Sequence, residues 1–225
     1  MATRLNLADA FFLNAESRDA YMHVAMLHRY LIPADGGDNW VAEQVERMRQ
    51  FPVDQQPFNL RLKPGLVGKV APAWEVDSNI DIDYHLRHAA LPKPGGEREL
   101  GVLVSRLHSQ PLGKNRPLWE CTIIEGLNDG TFALYFKIHH ALMDGMSGSR
   151  TMSRCLSPNP DERGMPAFWT MPPLPRGAGR IPKAIAETAQ ALARPTVLNV
   201  LGQAFSAWFR MLRAAPASGL IGPYR

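Results

Sequence analysis

Apolar and polar positions along the chain change period several times, and each change predicts an element. Leu7, Ala10, Phe11 and Ala15 fall at helical spacing and predict a short amphipathic helix over 7–16. Over 21–31 the period shortens. Met22, Val24 and Met26 alternate with Tyr21, His23 and Ala25, which predicts a strand buried on both faces. Asn39 stands where a helix over 40–50 needs its N-cap, and Val41, Val45 and Met48 form that helix's stripe. Pro52, Pro57 and Pro64 punctuate a loop-rich stretch, followed by a strand near 73–77 and an extended segment from Asp81 to Leu91. After Pro94-Gly95-Gly96, the positions of Leu100, Leu103, Val104 and Leu107 (i, i+3, i+4, i+7) predict a helix from Glu97 to His108.

The strongest local signal is a hairpin. Two β-rich runs, 119–127 and 131–139, flank Asn128-Asp129-Gly130, a short glycine-containing loop. The second run leads directly into His139-His140-Ala141-Leu142-Met143-Asp144-Gly145, and residues 145–155 then read as a helix. Beyond Ser157, prolines at 158, 160, 166, 172, 173 and 175 make 157–180 a linker or crossover, so the folded body is expected over 1–156. Residues 181–225 read as a helical tail, with Val197, Leu201, Phe205, Trp208 and Leu212 in one stripe. That stripe either packs on a second protein body or lies at a membrane interface.

Composition narrows the picture. The chain has 225 residues, 45% of them hydrophobic, enough for a sizeable core. Cys121 and Cys155 are too few for a disulfide framework, and no basic-then-apolar leader opens the chain, which points to a reducing, cytoplasmic setting. The greasiest stretch, 197–212, is interrupted by Asn199, Gln203, Ser206 and Arg210, so it does not read as a span. The net charge of +4 is unevenly placed. Residues 176–225 carry seven basic residues against Glu187, a net +6, which leaves 1–175 at −2. A slightly acidic body without an RNA-binding or zinc-finger signature argues against a nucleic-acid partner.

Histidine is the side chain whose ordinary pKa suits proton transfer near neutral pH, so His139 and His140 at a strand-to-helix junction are the candidate chemistry. Alternation gives His140 the parity of Phe132, Leu134, Phe136 and Ile138, and His139 that of Ala133, Tyr135 and Lys137. The two rings therefore diverge, which favours one base over a shared metal. The run has a plainer reading too: a hydrogen-bonded histidine pair, then an Asp144-Gly145 turn that caps a helix. Metal binding is not expected: His23 with His28, and His85 with His88, have usable spacings, but no cysteine or carboxylate cluster completes a set. Gly145-Met146-Ser147-Gly148-Ser149 lacks the last glycine of a nucleophile elbow, and Ser147 falls within the helix's first turn, where it assists the N-terminus. Pro117, Leu118 and Trp119 are either core or a substrate-lining element, with core favoured for Trp119.

Several segments together carry a resemblance. They are Asp9-Ala10-Phe11-Phe12 with Met22-His23-Val24, Tyr84-His85-Leu86-Arg87-His88 through Ala90-Leu91-Pro92, Leu103-Val104-Ser105-Arg106-Leu107-His108, Pro117-Leu118-Trp119-Glu120 and the His139-His140-x-x-x-Asp144-Gly145 motif. In this order they resemble the bacterial wax ester synthase/diacylglycerol acyltransferase family. The last motif alone is shared with condensation domains and other CoA-dependent acyltransferases. The resemblance implies an α/β fold, a chloramphenicol acetyltransferase-like two-layer sandwich with a mixed sheet and helices, as one of two such domains flanking a tunnel. It implies transfer of a long-chain acyl group from acyl-CoA, as co-substrate and with no cofactor, to a long-chain alcohol or diacylglycerol. His140 would be the base, Asp144 would orient the loop through an arginine pair, and His139 and Gly145 would support the motif. The enzyme would be cytoplasmic, with peripheral attachment to the inner membrane or a lipid-inclusion surface.

Members of that family are roughly twice this length, so the chain is expected to be the N-terminal half of a longer or cleaved polypeptide. The Val197 to Leu212 stripe would then pack on the C-terminal half of the same enzyme. Two other readings stand beside this one: a related enzyme using another acceptor, and an inactive fragment whose basic, apolar tail binds lipid surfaces or a partner.

Overall fold

In the computed structural model, the described residues are 3–5, 7–64, 72–159 and 162–173. They belong to the first of the two units into which the chain divides, Met1–Pro175. The tail predicted over 181–225 lies outside the described residues.

The principal sheet has four strands in the order β2-β7-β6-β5, with β2 spanning His23–Leu31, β5 Leu86–Ala90, β6 Trp119–Glu125 and β7 Thr131–His139. β7 pairs antiparallel with both β2 and β6, while β5 and β6 run parallel, so the sheet is mixed. A three-stranded sheet, β1-β4-β3, is formed by Thr3–Arg4, Ala73–Val76 and Leu60–Leu62. Helices α1 (Leu7–Ala15), α2 (Trp40–Arg49), α3 (Ile82–His85), α4 (Glu97–His108) and α5 (Gly145–Arg154) complete the domain, with a 3₁₀ turn at Phe168–Thr170.

The hairpin forms because Gly130 supplies a positive φ of 74° at the turn, and Ile124 then pairs with Ala133. Gly95 and Gly126 also have positive φ, and a Cβ on Gly95 would meet the Gly126 carbonyl oxygen at 2.0 Å. Two loops can therefore cross in contact. Helix α4 starts with the Gly96 N–H donating to the Glu99 carboxylate at 2.9 Å, closing part of its first turn.

Alternation along β7 divides the core in two. Leu134, Phe136 and Ile138 join Val41 and Val45 of α2, Met152 of α5 and a ring cluster around Trp119. On the opposite face, Ala133 and Tyr135 pack with Leu100 and flanking Leu103, Val104 and Leu107 of α4. The sheet thus carries helices on both faces. That second face also holds a buried polar network. The Lys137 ammonium donates to the carbonyls of Leu107 (2.8 Å) and Gln110 (2.9 Å) and sits 3.5 Å from Glu120, whose other oxygen is 3.3 Å from Arg87. A lysine this deep persists because every proton finds an oxygen; burial still lowers its pKa.

Several expectations need correction. The first helix exists, but its inward face is Phe12 and Leu13, whereas Phe11 is exposed. β2 is an edge strand with Leu27 and Leu31 exposed, not one buried on both faces. Asn39 precedes α2 but makes no side-chain cap. The extended segment from Asp81 is interrupted by α3, because the Asp81 carboxylate accepts the Tyr84 N–H at 3.4 Å and closes a helical turn before β5. Finally, the body does not end at 156. Ala167, Phe168 and Trp169 are buried, the Trp169 ring lying 5.6 Å from Trp119, so these three residues of the expected 157–180 linker belong to the core. Prolines there signalled irregular backbone, and irregular backbone can still bury aromatic rings. No helix among the described residues is long and apolar enough to cross a membrane.

Candidate active site

β7 ends at His139, which ties a knot in the chain. Its N–H donates to the Leu118 carbonyl at 2.9 Å, and its own carbonyl accepts from Leu142 (2.9 Å) and Met143 (3.3 Å). Its ring Nδ1 accepts the Ala141 N–H at 3.0 Å. An accepting Nδ1 places the proton of the neutral ring on Nε2, which faces the Glu16 carboxylate 3.6 Å away. Glu16 is itself held by the Lys114 ammonium at 2.6 Å. Burial drives the His139 pKa down to about 4, against the opposing pull of Glu16. At neutral pH the contact with Glu16 is therefore a polar one and not an ion pair. Nε2 makes no hydrogen bond, so it is the backbone and Nδ1 of His139 that brace the loop.

His140 points elsewhere, as the strand's parity requires. Its N–H donates to the Met22 carbonyl at 2.8 Å, and its half-buried ring stacks on Phe12 with centroids 3.8 Å apart and planes at 26°. The loop beyond is fixed by Asp144, the N-cap of α5. One carboxylate oxygen accepts the Ser147 N–H at 2.7 Å and the other accepts the Ser147 hydroxyl at 3.1 Å. The turn-and-cap reading of Asp144-Gly145 thus describes how the loop is built, and Ser147 supports the helix start. Asp144 also acts on Asp9 of α1, whose pKa rises to about 6, chiefly through burial and then through the neighbouring negative charge.

Helix α1 and Glu16, the residue that follows it, supply what sequence reasoning missed. Asp9, Phe12 and Glu16 lie at i, i+3 and i+7, one stripe running past Asp144, His140 and His139 respectively. The spacing was available, but a search for apolar stripes passes over it. Lys114 had no local signal at all.

Pro117, Leu118 and Trp119 are all buried. Trp119 donates its indole N–H to the Phe58 carbonyl at 2.8 Å and stacks on His85 at 4.4 Å, so it is core. Leu118 hands its carbonyl to His139, which makes this segment a structural support of the motif. Two other histidines make structural hydrogen bonds. His23 Nε2 donates to the His108 carbonyl at 2.8 Å, and His85 Nδ1 to that of Trp119 at 2.7 Å. Among the described residues no cluster of three or more His, Cys, Asp or Glu is placed to hold a metal.

A mixed sheet presenting a braced histidine loop has the architecture of the condensation-domain fold: the first condensation domain of the calcium-dependent antibiotic synthetase superposes with a TM-score of 0.52 at 20% identity, covering 66% of this chain and 35% of that one. Within that class the assignment is sharper. A family model described as the wax ester synthase/diacylglycerol acyltransferase catalytic domain matches residues 5–219, and the chain belongs to this family. The wax ester synthase/diacylglycerol acyltransferase of Marinobacter aquaeolei superposes with a TM-score of 0.71 at 41% identity, over 86% of this chain and 47% of that one. A probable diacylglycerol O-acyltransferase of Mycobacterium tuberculosis is 45% identical over 170 residues, 75% of this chain and 37% of the relative. The O-acyltransferase WSD of Acinetobacter baylyi is 37% identical over 210 residues, 88% of this chain and 44% of the relative. The chain spans less than half the length of these relatives.

Proposed function

We propose that this chain contributes the base-bearing half of an acyl-CoA-dependent O-acyltransferase that esterifies a long-chain alcohol or diacylglycerol. The observation that carries the reading is the division of labour between neighbouring histidines: His139 is consumed by the fold, while His140 rests on Phe12 with no comparable task. In this reading His140 takes the proton of the acceptor hydroxyl as its oxygen attacks the thioester carbonyl. The C–O bond forms, the C–S bond breaks, and the imidazolium returns its proton to the departing thiolate. Two proton transfers through one ring need no covalent acyl-enzyme. The remaining acceleration comes from positioning and from stabilising the oxyanion. The names of the relatives and the family assignment support acyl transfer to oxygen, and the position of His140 supports the proton route.

The test is thiol release from palmitoyl-CoA with hexadecanol or diacylglycerol, run on 1–225 alone and joined to its C-terminal half. His140→Ala should lower the rate by about 10²–10⁴-fold while leaving the fold intact. His139→Ala should act mainly through loss of stability. Wild-type turnover by a folded His140→Ala protein would remove the base from the proposal.

A further inference from the structure

The side chains leave a cavity of about 350 Å³ at the opposite end of β7 from His140. Tyr30, Trp40, Phe132, Leu134, Met152 and Phe168 form its apolar walls, with Arg47 and Glu162 among the residues that border it. Phe132, Leu134, Phe136 and Ile138 share one face of β7, the parity His140 continues into the loop. The six residue steps from Leu134 to His140 cover about 20 Å at the rise of an extended strand. This is comparable with an outstretched fatty acyl chain.

Between cavity and loop the seam under α5 has an unusual wall. Gly148, buried on α5, offers no side chain; a Cβ there would lie 3.2 Å from the Met26 methyl and 3.6 Å from the Met143 sulfur. Both methionines are unbranched thioethers, which change rotamer without moving backbone. Two flexible side chains thus meet α5 at Gly148, whereas the neighbouring core is packed with interlocked rings.

We propose that this cavity seats the distal end of the donor's acyl chain, which runs along the β7–α5 seam with Met26 and Met143 turned aside. The inference rests on the function proposed above and names where one substrate lies. The volume is at the small end of ligand sites. It suits one alkyl chain and is too small for the paired tails of diacylglycerol. An apolar wall also requires that the thioester and CoA stay at the loop, where His140 stands.

A non-hydrolysable thioether analogue of palmitoyl-CoA carrying a diazirine on its last carbon tests this directly. Irradiation should label peptides containing Leu134, Met152 or Phe168, and palmitoyl-CoA should compete. Labelling confined to other peptides, or cavity labelling by an equivalent hexadecanol probe but not by the thioether, overturns the proposal. In parallel, Leu134→Trp should fill the cavity and lower kcat/KM for palmitoyl-CoA by about tenfold or more relative to hexanoyl-CoA. An unchanged ratio overturns it. Because labelling needs no turnover, labelled protein without acyl transfer would count against the His140 chemistry and leave the acyl site standing.

Discussion

The two faces of β7 solve burial in opposite ways. Towards α2 and α5, Phe136 and its neighbours bury rings against rings; Phe136 lies 4.5 Å from Phe168 and 6.4 Å from both Phe58 and Trp119. Towards α4, Tyr135, Lys137 and His139 bury polar groups, each with a named partner: His108, the Leu107 and Gln110 carbonyls, and Ala141. Dispersion and the hydrophobic effect tolerate substitution by similar volumes, whereas a polar network fails when one member is missing. The apolar face therefore supplies stability and borders the cavity, and the polar face supplies rigidity at the end of the strand where His140 emerges.

Removing a ring breaks the first face hardest. Phe136→Ala should cost about 4 kcal/mol in denaturant unfolding, through lost transfer energy and the void it leaves. On the polar face, Lys137→Met should cost about 3 kcal/mol, because it takes one of two cationic partners from the buried Glu120 carboxylate and the donor from two carbonyls. Adding Glu120→Gln should recover part of that loss; simple additivity of the two would mean that the pair is not coupled.

The pH dependence sharpens the same contrast. Between about pH 6.5 and about pH 4 the unfolded chain protonates His139 while the folded chain does not. Stability should therefore fall as pH drops through this window, and His139→Gln should flatten that part of the curve. Phe136→Ala should leave its shape unchanged. The smallest effect is expected at the surface. Arg29 pairs with Glu97 and Asp129 on exposed ground, and Arg29→Ala should shift the unfolding midpoint slightly at low salt and not at all at high salt.

Much of this was legible locally. The helix over 97–108 and the hairpin follow from periodicity and one turn glycine, and strand alternation alone separated His139 from His140. The inward face of α1 was not legible, because Ala10, Phe11, Phe12 and Leu13 spread apolar character around the helix, and only its neighbours select Phe12. Nor did the prolines after Ser157 reveal that Phe168 and Trp169 return to the core.

What the sequence determined by itself is the longer helices and strands, the divergence of the two histidines and the capped turn that follows them, since these rest on contacts within a few residues. Tertiary structure alone decided that Glu16 and Lys114 meet at His139, that Phe12 carries His140, and that a cavity lies along the same strand face. Residues 98 positions apart, as Glu16 and Lys114 are, leave no periodic trace of their meeting. Their pairing is set by how α1 and the loop before β6 pack, and a cavity is defined only once every surrounding side chain has found its place.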